Sequence, residues 1–403
     1  MTAVRCALGV PGQEPALRAA VAALHAAGRA ELLARAWHHR VGPMVRLGVL
    51  LSTPSPRPGD PAALLAADLR AQHLAASAGH VRAVHDLGLV ADALDGAGLA
   101  WAALKGPVLA ARVYPREDLR PYGDIDVLVD PLALGAALRA LERAGFQVLD
   151  RNWQLLRERV LGELHLRAPS GSTVDLHWQL VNRPEVRARF HLPTGPLLGR
   201  AARADVAGRD IPVLDPVDTL NHLCLHAGLA GGDRLLWLAD IALAARALPG
   251  SAGADAGPGG WPGMDQLVAR AGQAGAGSMV ALMLRRADRL LPVPGADHAV
   301  ALLQPSRPLR ATLEAVDRLV PVQQVRRPGS LPRTAARAVD STLLGTLVAA
   351  VAFLRDRAQE RLPGHRVPGS DWSRSVLHPA GGAEDRAAFL ERVAEAERRE
   401  LQC

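Results

Sequence analysis

The segment from residue 99 to residue 180 constrains the fold most, because it interrupts a chain whose patterning is otherwise helical. Its DIDVLVD stretch (124–130) alternates charged and aliphatic residues and is rich in Ile and Val, which favours a β-strand. The stretches LAWAALKG (99–106) and FQVLD (146–150) predict two further strands. PLALGAALRALERAG (131–145) has the spacing of an amphipathic helix.

A hairpin completes this segment. ELHLRAP (163–169) and STVDLHWQL (172–180) flank the turn residues Ser170 and Gly171, which predicts an antiparallel pair. A β-α-β unit followed by a hairpin is an α+β pattern, and the chain contains neither GxGxxG nor GxxxxGK[ST]. We predict an N-terminal helical region (1–97), the α+β core (98–200), a helical cap (201–246), a Gly/Pro linker (247–263) and a C-terminal helical region (264–403).

The charge of the chain bears on its partners. A net charge of +7 and a pI of about 10.4 favour an anionic partner. The basic residues are spread along the chain, and four Phe, two Tyr and seven Trp offer no obvious platform for base stacking. We therefore expect a protein that binds nucleoside triphosphates, with nucleic acid a less favoured partner.

One residue count is sharper than the net charge. Of the 47 Lys and Arg residues, Lys105 is the only lysine. A position that stays Lys in so Arg-rich a chain suggests a need for a compact ammonium group rather than a planar fork. The alternative is that a single lysine survived by chance.

Cysteine usage and apolar stretches bear on location. Cys6, Cys224 and Cys403 have no metal-ligand spacing and fit a reducing cytoplasm. The N-terminus has no apolar core long enough for a signal peptide. The longest apolar stretch, 343–354, is too short to span a membrane, so we expect it to be a buried helix. These features predict a cytoplasmic protein without a membrane partner.

Two aspartates begin the DIDVLVD strand. Residues two apart on a strand point to the same face, so the carboxylates of Asp124 and Asp126 are predicted to be neighbours. At about 4 Å and an effective dielectric near 20 they would repel by about 4 kcal/mol, which calls for a cation, a shared proton or arginines. Hard divalent cations such as Mg²⁺ favour such oxygen ligands. A solvated strand face that bears alternating acids is the alternative.

A third carboxylate lies in the predicted hairpin. If the strand that contains Asp175 pairs beside DIDVLVD, three carboxylates converge and can hold two metal ions, as in enzymes of phosphoryl and nucleotidyl transfer. His177 would share the face of Asp175 and could orient a metal ligand. Tyr122, just before the strand, is a candidate for the same orienting role.

The ordered set of motifs resembles a known family. LKGPVLAARVYPREDLRPYGDIDVLVD (104–130), VDLHW (174–178), HLCLHAG (222–228) and LLWLADIAL (235–243) are similar to a bacterial nucleotidyltransferase-like family, largely uncharacterised, of the DNA polymerase β-type superfamily. The resemblance covers about residues 30–245. It implies a polymerase β-like core, a small mixed sheet with helices, flanked by helical regions.

The resemblance also implies roles for residues. Asp124 and Asp126 would bind two Mg²⁺ ions, with Mn²⁺ as an alternative, and Asp175 would complete the site and accept the proton of the attacking hydroxyl. Gly106 would be the turn glycine that faces the nucleotide. Lys105, Arg120 and Arg116 are further candidates for the nucleotide site; for each arginine a plain surface charge is the alternative.

The sequence departs from the superfamily pattern after the turn glycine. Pro107 stands where a second Gly or Ser is usual, and it offers neither hydroxyl nor N–H. The resemblance together with this departure leaves two candidate functions. The first is Mg²⁺-dependent transfer of a nucleoside monophosphate from an NTP such as ATP to a hydroxyl or phosphate of a small molecule, peptide or protein, with pyrophosphate leaving. The second is a catalytically silent module that binds a nucleotide or a partner.

A second candidate metal set lies downstream. His222 and His226 are four residues apart on a predicted helix, and Asp240 follows on the next. The interpretation that we favour is that these residues pack the helical cap against the catalytic sheet.

Overall fold

The computed structural model describes residues 1–159, 161–250, 261–303, 307–319, 333, 336–340, 342–361 and 375–400. The chain begins with helices, as predicted for residues 1–97. These are α1 (Thr2–Ala7), α2 (Glu14–Ala22), α3 (Ala26–His38), α4 (Gly42–Ser52), α5 (Pro61–Asp68) and α6 (Arg70–Gly96).

The α+β core follows. Its strands are β1 (Trp101–Ala103), β2 (Asp124–Val129), β3 (Gln147–Val148), β4 (Glu163–Arg167), β5 (Thr173–His177), β6 (Ala202–Val206) and β7 (Arg209–Val213). Its helices are α7 (Pro107–Val113), α8 (Leu134–Arg143), α9 (Trp153–Arg159), α10 (Pro184–Arg187) and α11 (Thr194–Gly199), with 3-10 turns at Glu117–Leu119 and Pro131–Ala133.

Helices make up the described part of the remaining chain. They are α12 (Pro216–Leu229), α13 (Leu235–Arg246), α14 (Pro262–Gln273), α15 (Gly277–Leu290), α16 (Ala296–Leu302), α17 (Arg307–Leu319), α18 (Leu343–Arg361) and α19 (Ala383–Glu400). Most of the linker predicted at 247–263 lies outside the described residues.

One mixed sheet has the strand order β3-β4-β5-β2-β1-β7-β6. β4 and β5 form the predicted antiparallel hairpin, and β5 lies parallel to β2. β1 lies on the other side of β2 and is antiparallel to it, and β1 also pairs parallel with β7. The predicted α+β class is confirmed, and the strand that contains Asp175 does lie directly beside the strand that contains Asp124 and Asp126.

The edge of the sheet differs from the sequence prediction. Residues 202–213, which we assigned to the helical cap of 201–246, form the hairpin β6–β7 and extend the sheet. Ala207 and Gly208 make its turn with φ angles of 53° and 81°. The hairpin lies at the edge with β6 outermost. The alternation in β6 rests on Ala202 and Ala204, a residue type depleted in strands, and Pro212 lies within β7, so neither segment has the composition of a strand. The helical part of the cap therefore begins only at α12.

A glycine turn joins β1 to α7. Gly106 has a φ of 60°, a left-handed conformation that side chains rarely adopt. A Cβ placed on it would lie 3.0 Å from the Asp124 carbonyl oxygen, so the turn also passes too close to β2 for a side chain. Pro107 then begins α7, where its fixed φ suits the first helical turn.

The chain has two main hydrophobic cores. Helices α1–α5 and α12–α16 share one of them, and we call these helices the helical unit. The sheet, α8 and the second half of α6 share the other. The last helix, α19, returns to this sheet core, where Phe389 is fully buried with ring centroids 5.8 Å from both Trp153 and Trp178. Part of the C-terminal region therefore completes the core of the sheet.

The apolar stretch 343–354 begins α18, but the prediction that it is buried was wrong. Leu344, Leu347, Val348 and Val351 are each more than half exposed, because their spacing places them on a single helix face that no described element covers. Among the described residues, no helix combines the length and hydrophobicity needed to cross a bilayer.

Candidate active site

The register of β2 and β5 places the predicted carboxylates together. Asp126 lies opposite Asp175, and Asp124 lies opposite Thr173. Side chains of directly opposed residues on neighbouring strands point to the same face, and so do residues two apart on one strand. The three aspartates therefore share one face at the start of two central strands, as the sequence predicted.

Asp126, Asp175 and His177 form the one cluster in the described part of the chain whose side-chain ligand atoms suit a metal ion. One ligand atom from each lies within 4.8 Å of the others. Asp175 Oδ1 is buried and receives no hydrogen bond. An orphaned buried carboxylate oxygen beside a second carboxylate is a donor set for a hard cation, and the histidine nitrogen also admits Mn²⁺ or a softer ion.

The charge of these carboxylates is unevenly compensated. Burial, followed by the negative charges of Asp126 and Asp124, raises the pKa of Asp175 to about 6. Burial acts on Asp126 in the same direction, but the charge of Lys105 and a hydrogen bond from His177 hold its pKa well below the usual range. The least compensated negative charge of the site therefore lies at Asp175.

The single lysine lies inside the acidic cluster. Lys105 Nζ is 2.8 Å from Asp126 Oδ1 and 3.4 Å from His226 Nδ1. Burial alone would lower the pKa of Lys105, but Asp126 and then Asp124 raise it above its usual value. The ammonium therefore stays charged, and it neutralises part of the carboxylate repulsion.

Histidines surround the carboxylates on the sheet. His177 Nε2 lies 3.2 Å from the oxygen of Asp126 that also contacts Lys105, and its Nδ1 is 3.3 Å from Glu163. Burial opposes protonation of His177, but the hydrogen bond to Asp126 and the charge of Glu163 raise its pKa. The orienting role of His177 stays a prediction, and the closeness of its ring to Asp126 and Asp175 also makes it a direct ligand candidate.

His165 of β4 pairs with Asp175, because β4 is the neighbour of β5 on the side away from β2. Its Nδ1 is 2.8 Å from Asp150, and its Nε2 is 3.9 Å from Asp175 Oδ1. The hydrogen bond to Asp150 is the largest cause that raises the pKa of His165, to about 9. A charged imidazolium therefore lies beside the least compensated carboxylate.

The second candidate set of metal ligands does not come together. His222 and His226 are both buried, with ring centroids 6.1 Å apart, but Asp240 is engaged elsewhere. Burial and the charge of Lys105 lower the pKa of His222 to about 3, and the Lys105 charge, then burial, hold that of His226 well below its usual range. Neutral, buried rings agree with the packing interpretation.

Asp240 holds Arg120 instead. Arg120 Nε and Nη2 donate to the two Asp240 oxygens at 2.8 and 2.9 Å, and Tyr114 Oη donates to Oδ1 at 2.6 Å. Arg120 Nη1 also donates to the Gly106 carbonyl at 3.3 Å. Asp240 and Arg120 are almost fully buried, so the guanidinium ties the glycine turn to α13. Its predicted role at the nucleotide is untested.

The other predicted residues lie further out. Arg116 is exposed and forms a bidentate pair with Asp118, at 2.6 and 3.1 Å. Tyr122 lies on the wall of the site cavity, and its hydroxyl is 2.8 Å from His80 Nδ1. The guanidinium of Arg120 lies 5.7 Å from the centroid of the Tyr122 ring.

A cavity of about 200 Å³ opens onto Asp124 and Asp126, whereas Asp175 is not part of its lining. It is lined by Asp124, Asp126, Lys105, Gly106, Arg120, Tyr122 and residues of the helical unit, among them Arg40, Arg234 and Trp237. Sequence analysis missed these last three. The only signal for Arg40 was its place within residues 30–245, which the family resemblance covers.

A larger cavity of about 520 Å³ adjoins the first. The two share four lining residues: Arg40, Pro121, Tyr122 and Arg234. The larger cavity also includes the exposed Trp37, His38 and Gln72. It lies between the N-terminal helices and the loop before β2.

Comparison with known proteins bears on the family of the chain. No curated protein and no solved structure matches the chain. A family model described as uncharacterised nucleotidyltransferase matches residues 25–292, which include the whole sheet and most of the helical unit. Because this match covers more than half of the chain, the protein belongs to the uncharacterised nucleotidyltransferase family.

Proposed function

We propose that the protein is a metal-dependent nucleotidyltransferase. It would move a nucleoside monophosphate from an NTP to a hydroxyl or phosphate of a small molecule, peptide or protein, with Asp124, Asp126 and Asp175 as its catalytic carboxylates. The observation that supports this most is the pairing of Asp126 with Asp175, whose buried Oδ1 receives no hydrogen bond. Such an oxygen needs a cation or a proton.

Asp126 and Asp175, whose ligand atoms lie close together with that of His177, would hold the first Mg²⁺ ion. Asp124 lies outside this cluster and would contribute from its place two residues earlier on β2. His177 would be a further ligand if a single softer ion binds. The ions would supply charge stabilisation for the attacking and leaving oxygens. Two ions are the expectation from the superfamily. Lys105 already neutralises one oxygen of Asp126, so the chain itself provides part of that positive charge.

The protein side chains have separable tasks in this reaction. A bond forms between the acceptor oxygen and the α-phosphorus, and the bond from that phosphorus to the β-phosphate oxygen breaks. Asp175, ionised above about pH 6, would accept the proton of the attacking hydroxyl. The positive residues around the cavity would bind the pyrophosphate that leaves.

A silent nucleotide- or partner-binding module is the second candidate. Two observations favour it: Pro107 offers no N–H at the start of α7, and Lys105 occupies an oxygen of Asp126 that a metal ion would use. Action on nucleic-acid ends is a weaker candidate that rests on the net charge of +7. It predicts binding to oligonucleotides that weakens steeply with salt.

Calorimetric titration of each NTP into the full chain, with and without Mg²⁺, tests the main proposal. We expect binding that requires the metal and is lost in Asp124→Asn. Asp297→Asn is a matched control, because Asp297 is an exposed residue of α16 that lines neither cavity. Metal-independent binding that survives Asp124→Asn would contradict the carboxylate assignment and favour the binding module.

Transfer itself needs a second assay. Wild-type protein with an NTP labelled at the α-phosphate and candidate acceptors should release pyrophosphate and label an acceptor, whereas Asp124→Asn should do neither. Nucleotide binding without pyrophosphate release for any acceptor class would support the silent module.

A further inference from the structure

Two arginines lie on the wall of the site cavity opposite the sheet. Arg40 occupies the turn between α3 and α4, and Arg234 directly precedes α13. Both line the small cavity that contains Asp124 and Asp126, and both also line the larger cavity next to it. They therefore lie at the boundary between the reacting centre and the outer cleft.

Neither arginine has a carboxylate partner within the described ranges. The three positive residues that sequence analysis nominated are all paired: Lys105 with Asp126, Arg120 with Asp240, and Arg116 with Asp118. The guanidiniums of the two newly found arginines are thus the positive groups on this cavity wall that are not already neutralised by the chain.

The surroundings of Arg234 suit an anion. Its Nε is buried and has no hydrogen-bond acceptor, and its guanidinium lies 4.8 Å from the centroid of the Trp237 ring. The neighbouring Asp233 is paired with Arg333 at 3.3 Å. Burial and then the charge of Arg40 lower the pKa of Arg234, which indicates that the two cations are close. An oxyanion between them would relieve both the repulsion and the missing acceptor.

The backbone at Arg40 points the same way. Arg40 has a φ of 53°, and a left-handed conformation is unfavourable for any residue with a Cβ. Glycine would suit this turn better, yet the position holds an exposed arginine beside the site. The conformation closes the end of α3, where the Val41 N–H donates to the Ala36 carbonyl, and it thereby sets the position from which the Arg40 side chain reaches the cavity wall.

We propose that Arg40 and Arg234 form the site for the β- and γ-phosphates of the NTP, which leave as pyrophosphate. This inference rests on the proposed function and deepens it. Planar guanidiniums bind phosphate oxygens through paired hydrogen bonds, and they would neutralise the charge that develops on the leaving group. The site replaces the backbone N–H groups that Pro107 cannot offer at the start of α7.

Pyrophosphate is the probe for this site, because it has no base and no acceptor group. Its affinity for the full chain is measured by calorimetry in the presence of Mg²⁺, for the wild type and for Arg40→Gly, Arg40→Lys and Arg234→Gln. Arg82→Ala is the matched control, since Arg82 is an exposed arginine of α6 that lines neither cavity. Thermal melts verify that each variant is folded.

We expect the Arg40→Gly and Arg234→Gln variants to bind pyrophosphate at least tenfold more weakly, Arg40→Lys to retain part of the affinity, and Arg82→Ala to match the wild type. Affinity unchanged in both arginine variants would overturn the proposal. Competition with NTP then distinguishes the leaving group from an anionic acceptor. Pyrophosphate that binds at the arginines without displacing NTP would assign them to the acceptor and also overturn it.

The outcome is separable from that of the proposed function. Pyrophosphate binding that depends on Arg40 and Arg234, in a protein that transfers no nucleotide, would leave the anion site standing without the enzyme. Transfer that is lost in Asp124→Asn but proceeds normally in the arginine variants would leave the enzyme standing without this site.

Discussion

Replacing Asp175 with Asn is predicted to stabilise the protein while abolishing its activity. Folding raises the pKa of this carboxyl from its usual 3.8 to about 6, with burial as the largest cause. Between these values the native state binds more protons than the unfolded chain, so stability falls as pH rises from about 4 to 6. Above pH 6 the ionised carboxylate lowers the free energy of unfolding by its full amount. Below pH 4 there is no such loss.

The size of the penalty follows from the shift. At about 1.4 kcal/mol per pKa unit, a rise from 3.8 to about 6 corresponds to at most about 3 kcal/mol. The side chain is only 16% exposed, so little of this is lost to solvent screening. Asp175→Asn removes the charge and keeps the shape. The variant should therefore be more stable than the wild type by up to about 3 kcal/mol at pH 8 and equal to it near pH 4.

Urea denaturation in EDTA at pH 4 and pH 8 measures this difference. Asp126→Asn is the matched control, because Asp126 lies opposite Asp175 in the sheet but has Lys105 and His177 as partners. That variant should be destabilised at pH 8, since it leaves the buried lysine without its carboxylate. Both variants should be inactive. Equal stability of Asp175→Asn and wild type at pH 8 would refute the claim that this carboxylate is the least compensated charge of the site.

Three further predictions concern charges around the site. Lys105→Met removes the lysine partner of the buried Asp126 carboxylate and should lower the free energy of unfolding by roughly 3–5 kcal/mol in EDTA. Saturating Mg²⁺ should restore part of this loss. If urea titrations show no recovery, the result would argue against metal binding at Asp126. Arg120→Met should cost about 3 kcal/mol or more, because Asp240 is almost fully buried, and metal should not rescue it. Arg40→Gly should raise the free energy of unfolding by about 1 kcal/mol, because glycine accepts the left-handed backbone. A less stable variant would show that the Arg40 side chain contributes to folding.

The carboxylate cluster was predictable from local patterns. The two-residue period of DIDVLVD placed Asp124 and Asp126 on one face, and the turn at Ser170 and Gly171 marked the hairpin that contains Asp175. What the pattern did not contain was the parallel pairing of that hairpin with β2 in the register that sets Asp126 against Asp175. Sequence analysis stated this pairing only as a condition, and the resemblance implied only that Asp175 completes the site.

The positive wall of the cavity was not predictable. Arg40 and Arg234 lie far apart in sequence, outside the β-α-β unit, and tertiary packing alone brings them together. A backbone bond from the Leu236 N–H to the His39 carbonyl, 3.3 Å long, joins their two segments. In a chain with 47 basic residues, no local signal distinguishes these two arginines from surface charges. The sole lysine was recognisable because it was rare.

The ion pair of Arg120 with Asp240 suggests a task for Arg120 other than binding phosphate. The carboxylates lie on the sheet, whereas the two unpaired arginines lie on the helical unit, so the reaction depends on how the two halves are joined. Arg120 and Tyr114 reach from the segment before β2 to the buried Asp240 of α13, the helix that directly follows Arg234. This junction fixes the distance between the carboxylates and the two arginines proposed to bind phosphate. Tyr114→Phe, which loses one hydrogen bond but keeps the ion pair, should therefore weaken pyrophosphate binding without altering metal affinity at the carboxylates. A change in metal affinity alone would indicate that the junction supports the sheet rather than the arginines.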